Sequence, residues 1–210
     1  EGMALFGINT ANSLGVPIPA IRNIAKQTGK HHPLAIELWK TGIHEARILA
    51  SIIDNPEKVT EIQMENWVKE FNSWDLCDQV CSNLFDKTKF AYKKAVEWSF
   101  RKEEFVKRAG FAIMAALAVQ DKKAADVELE KFLPVIKRES TDERNYVKKA
   151  VNWALRNIGK RNKNLNKKAI QTAEDIKKIS SPAARWIAAD ALKELKNEKT
   201  QNRIAKKTKK

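Results

Sequence analysis

Trp74 and Asp78 stand one helical turn apart in the stretch FNSWDLCDQVCSNL, residues 71–84. Read as a helix beginning after Ser73, the stretch divides into two faces at about 100° per residue. Leu76, Val80 and Leu84, with Cys77 and Cys81 beside them, form an apolar stripe. Asp78 falls roughly 130° from the centre of that stripe. Trp74 sits at the stripe's edge, where an i,i+4 pair can touch. In residues 103–119 the stripe is Val106, Ala109, Gly110, Ile113 and Leu117, and Arg108 points roughly 140° from it. In residues 143–158 the stripe is Val147, Ala150, Val151, Ala154 and Ile158. Trp153 lies about 130° off that stripe, with Lys149 and Arg156 on the same polar face. Two tryptophans and an aspartate off the core faces, ringed by Arg and Lys, exceed what a purely structural repeat needs.

The rest of the inventory narrows the chemistry. His31, His32 and His44, with two core-facing cysteines, have no metal-ligand spacing, so no metal is expected. Gly-rich phosphate loops, HExxH and a serine elbow are all missing from the sequence. That pattern disfavours metal- or nucleotide-dependent hydrolysis and leaves chemistry that one carboxylate can carry. Asp75, on the polar side of the same helix, is given a supporting role as a cap or an orienting group. Trp39, Trp67 and Trp98 read as packing residues beside Leu38, Val68 and Val96, whereas Trp186 fits packing and function equally.

The elements that must position these side chains are helical throughout. Gly and Pro are scarce, and no period-2 alternation marks a strand. Residues 1–12 read as the end of a helix whose start is truncated. Further helices are expected over 20–28, 34–39, 44–54, 59–71, 74–85, 88–100, 103–119, 121–136, 143–158, 166–177 and 182–195. Pro19 suits the first turn of one and Ser181 the N-cap of another. Arg47, Asp78, Arg108, Lys149 and Arg185 recur at steps of 31, 30, 41 and 36 residues. Helix pairs at that approximate period predict an all-α, HEAT-like superhelix, a curved solenoid with a long concave face. One repeat domain is expected over 1–195, in a monomer.

The 210 residues carry a net charge of +14, which favours polyanionic partners, nucleic acid first. Between residues 144 and 173 stand nine basic residues and no acid, an electrostatic footprint. Residues 196–210 hold seven basic residues and one acid and read as a disordered tail. No apolar run of membrane-spanning length and no signal-peptide pattern occur, and the cysteines suit a reducing compartment, so a cytoplasmic protein is expected.

Three motifs in order, Ser73-Trp74-Asp75-Leu76-Cys77-Asp78, Lys107-Arg108-Ala109 and Val147-Lys148-Lys149-Ala150-Val151-Asn152-Trp153-Ala154-Leu155-Arg156, resemble the AlkD-type DNA alkylation repair glycosylases. Trp39-Lys40 followed by Glu45-Ala46-Arg47 fits that family's second repeat, and the resemblance runs to about Leu195. It implies a HEAT-like solenoid whose basic concave surface cradles double-stranded DNA. The implied activity is excision of cationic N3- and N7-alkylated purines by a monofunctional glycosylase without metal or cofactor. Asp78 matches the catalytic carboxylate, Trp74 and Trp153 the aromatics flanking the lesion's deoxyribose, and Arg108 a backbone-contacting arginine. Lys107, Lys148, Lys149, Arg156, Tyr146 and Arg47 are the accompanying candidates for DNA contacts. Of an aromatic pair expected before the last motif, only Tyr146 is present, after Asn145. The implied setting is the nucleoid of a bacterial cytoplasm. The alternative is a non-catalytic DNA-binding or scaffold repeat protein of the same fold.

Overall fold

The computed structural model describes residues 8, 9 and 11–208. Every regular element among them is a helix, and none is long and apolar enough to cross a membrane. The helix expected over 1–12 lies largely outside the described residues. The chain forms two compact units, Glu1–Tyr92 and Lys93–Lys210, whose boundary falls within the stretch read as one domain.

The first unit holds α1 (Ile18–Thr28), α2 (His32–Lys40), α3 (His44–Ile53), α4 (Glu61–Lys69) and α5 (Trp74–Asn83), followed by a 3-10 turn at Phe85–Lys87. Local chemistry sets the ends. Pro19 occupies the first turn of α1, where no backbone donor is needed, and His31 accepts the Leu34 N–H at the start of α2. Thr60 does the same for Gln63 at α4. Gly42, at φ 69°, makes the left-handed turn between α2 and α3 that a side chain would resist. The core is aromatic: Trp39 and Trp67 stack with centroids 4.0 Å apart and planes 3° from parallel, and Phe71 and Phe85 close around them. A ladder of polar bonds joins positions one repeat apart. His44 meets Asp75, Asn83 donates to Ser51, and Trp39 donates to Glu70, at separations of 31, 32 and 31 residues. The 31-residue step from Arg47 to Asp78 is therefore the packing register of this unit.

The second unit holds α6 (Ala91–Ser99), which begins at the boundary, α7 (Glu104–Gln120), α8 (Asp126–Glu130), α9 (Phe132–Glu139), α10 (Asn145–Gly159), α11 (Lys163–Lys177), α12 (Pro182–Lys196) and α13 (Glu198–Thr208). α7 is buried along most of its length. Gly110 lets it approach α6 closely: a Cβ there would lie 2.8 Å from both the Ala95 carbonyl oxygen and the Ser99 nitrogen. The single helix expected over 121–136 is two short ones. Pro134 has no N–H for the Glu130 carbonyl, so the ladder breaks ahead of it and Pro134 falls in the first turn of α9. Asp121 Oδ1, accepting from the Lys123 and Ala124 N–H groups, turns the preceding segment out of helix. Asn162 caps α11 and starts it earlier than expected, and Ser181 caps α12 as expected.

The tail is a correction to the sequence reading. Residues 198–208 form α13, capped by Asn197 on the Thr200 N–H, with Ile204 only 3 % exposed. Ile204 and Thr200 bury one side of the helix, Gln201 donates to the Asn166 side chain and the Leu195 carbonyl, and the charge pattern conceals these contacts. Between α10 and α12 the register is constant. Glu143 accepts from Ser181, Lys148 lies over Trp186, Asn152 donates to Asp190 and Arg156 to Glu194, each pair 38 residues apart. The anchors Lys149 and Arg185 thus miss the true step by two residues.

Candidate functional site on α5 and the basic face of the second unit

α5 has the two faces its sequence implies. Leu76, Cys77, Val80, Cys81 and Leu84 are fully buried, while Trp74 and Asp78 are half-buried on the other side. Both cysteines are free thiols in the core. Burial, then Cys77 and the nearby Asp78 and Asp86 carboxylates, push the Cys81 thiol well up, so it stays protonated and acts as packing.

Asp75 turns out to be a fixed strut. Its Oδ2 lies 2.9 Å from Nε2 of His44, which is 5 % exposed at the start of α3. Burial pushes the Asp75 carboxyl up, but the His44 hydrogen bond, then Ser73, the charge of His44 and the Leu76 backbone together outweigh it and hold the group below the usual carboxylate range. The pair pins the first turn of α5, the turn that carries Trp74, and Asp78 follows one turn later. His44 is the residue the sequence reading passed over. The available signal was the 31-residue step, since His44 stands to Asp75 as Arg47 stands to Asp78.

The cations are less available than their sequence positions imply. Arg47 is engaged by Glu70 and lies over the Trp39 ring, 4.9 Å from its centroid. In the second unit, Arg108 is buried at 5 % exposure, and its Nη1 donates to the Tyr146 carbonyl at 2.6 Å. Arg108, expected from the resemblance to contact the DNA backbone, ties α7 to the first turn of α10. Helical periodicity put Arg108 off the stripe of its own helix but could not show that α10 covers that side. Tyr146 packs its ring against Phe105 at 5.6 Å. Lys107 is held between Glu139 at 2.6 Å and Asp142 at 3.4 Å. Arg156 is paired with Glu194 at 2.7 Å and Asp190 at 3.3 Å. Lys149 is exposed and makes no ion pair among the described residues, and Trp153 is half-buried. The acid-free block is acid-free only along the chain, because Glu130, Asp142, Asp190 and Glu194 reach it from other elements.

Helices paired through a repeated register within each unit define an all-α repeat protein of HEAT-like architecture. The sequence pattern of the DNA alkylation repair enzymes matches residues 1–195, and the chain belongs to that family. Its fold is similar to a solved structure described as a new family of proteins related to the HEAT-like repeat DNA glycosylases with affinity for branched DNA structures. The TM-score is 0.76 at 21% identity, over 97% of this chain and 88% of the other. Comparison with curated proteins gives no match.

Proposed function

We propose that this protein is a monofunctional glycosylase that hydrolyses the N-glycosidic bond of cationic N3- or N7-alkylated purines in double-stranded DNA. The observation that carries the reading is that Trp74 and Asp78 stand one turn apart on α5, both half-buried, on a helix whose first turn is fixed by His44–Asp75. Alkylation makes the base a cationic leaving group, so its departure takes the glycosidic electron pair and needs no general acid. Positive charge then develops on the deoxyribose. A preorganised carboxylate stabilises that charge and orients the water whose oxygen bonds to C1′. The water's second proton is released to solvent or to the carboxylate. An indole beside the sugar adds a cation–π contribution of ~1–2 kcal/mol when desolvated.

Trp153, by its motif, is assigned the second aromatic role. Arg108 is assigned a positioning role through its bond to Tyr146. Lys148 and Lys149 are the favoured phosphate contacts of the second unit, and Lys107, Arg156 and Arg47 must be drawn from their carboxylates to join them.

The test is release of 7-methylguanine or 3-methyladenine from methylated duplex. Asp78→Asn is expected to slow release by roughly 10²–10³-fold while leaving DNA affinity in place. A wild-type protein that releases no base sinks the catalytic reading. The second reading, DNA binding without chemistry, draws on the branched-DNA affinity described for the structural neighbour. It predicts binding to a four-way junction with no released base.

A further inference from the structure

Trp186 is a feature that the proposed chemistry leaves unused. It is 41 % exposed on α12, a helix that buries Ala183, Ala184, Ile187, Ala188, Ala191 and Leu195 and has no need of an indole on its outer side. Lys148 of α10 lies over the ring, its Nζ 5.3 Å from the centroid. This contact is a rung of the α10–α12 ladder, whose other rungs are polar: Asn152 to Asp190 and Arg156 to Glu194. At that one rung the ladder carries an aromatic platform in place of a carboxylate.

The surrounding charge points one way. The acids that follow on α12 are already engaged: Asp190 accepts from the Asn152 amide and pairs with Arg156, and Glu194 pairs with Arg156 and Lys160. Arg185 precedes Trp186, and Lys193 lies two turns further along its face; both are exposed and make no ion pair among the described residues. An exposed indole among uncompensated cations matches the recognition of single-stranded nucleic acid, where bases stack on aromatic rings and lysine or arginine follows the phosphates.

We propose that Trp186, with Lys148 over its ring, is a stacking platform for an unpaired base of DNA, and that Arg185 and Lys193 attract the adjoining backbone. This rests on the DNA-binding part of the function proposed above and is independent of its chemistry. It specifies the substrate further, as duplex DNA that carries an unpaired segment or branch.

The experiment compares binding of the full chain to a blunt duplex and to the same duplex bearing a single-stranded arm. Loss of a base–indole stack is expected to weaken binding of Trp186→Ala to the armed DNA about 10-fold. Affinity for the blunt duplex should change less than about 2-fold, and Trp186→Phe should retain most of the arm's contribution. An unchanged thermal midpoint shows that the outward-facing substitution leaves the fold intact. Equal weakening on both DNAs overturns the platform, and so does no weakening on either, the outcome for a docking site of a protein partner. A wild-type protein that binds neither DNA at low salt overturns the DNA reading itself, a result separate from failure of the platform.

Discussion

Asp78 and Asp86 lie eight residues apart, and their surroundings give them opposite parts. Asp78 is half-buried on the helix that presents Trp74. Asp86 follows in the 3-10 turn with its side chain 1 % exposed, and Lys87, at 3.5 Å, partly offsets its charge. Burial raises the Asp86 carboxyl to about 6. An unfolded aspartate titrates near ~3.9, so the folded state takes up a proton between those values that the unfolded state does not. Stability contributed by this group is therefore present below ~4 and is lost as pH rises through about 6. Above that pH the charged form costs about 3 kcal/mol. Asp86→Asn is expected to stabilise the protein by up to that amount at pH 8 and by about half as much at pH 5. Urea midpoints at the two pH values check this, and a variant that keeps the wild-type pH dependence refutes it. The sequence singles out Asp78 by its place beside Trp74 but shows nothing that would bury Asp86. Tertiary burial makes the distinction.

Helices were legible where their signals are local. Ser181 caps α12 at the expected residue, and the apolar stripe of α5 is buried as its periodicity requires. The misjudged elements were governed by competing local chemistry or by contacts far along the chain. Pro134 divides the helix expected over 121–136, and its consequence was available in the sequence. α13 was hidden because its stabilising residue, Ile204, is one apolar side chain among lysines whose packing partners lie elsewhere. Ile204→Ala is expected to destabilise the second unit by about 2–4 kcal/mol, as for other buried large-to-small changes. In a disordered tail the substitution would cost nothing, so a chemical-denaturation midpoint indistinguishable from wild type would remove α13 from the folded core.

For the whole molecule the quantity that matters is the charge left after pairing. Of the nine cations between residues 144 and 173, Arg144, Arg156, Lys160 and Lys168 are held by carboxylates, and Arg161 donates to the Ala118 and Ala124 carbonyls. Lys148, Lys149, Lys163 and Lys167 make no ion pair among the described residues. Each phosphate neutralised adds about −0.9 to the slope of log K against log salt. Four contacts from this block predict a slope of roughly −4, where nine would give roughly −8. Titration of duplex binding from low to moderate salt measures it, and a slope near the larger figure would mean that DNA displaces the carboxylates. By itself the sequence determined the helical class, the repeat step of the first unit and the buried apolar stripe of α5, because periodicity and caps act over a few residues. The pairing of His44 with Asp75, the burial of Arg108 under α10 and the pairing of Arg156 and Lys160 with Glu194 were decided by the tertiary structure alone. Each depends on groups about 30 to 40 residues apart meeting across packed helices, and no local pattern encodes which of them will touch.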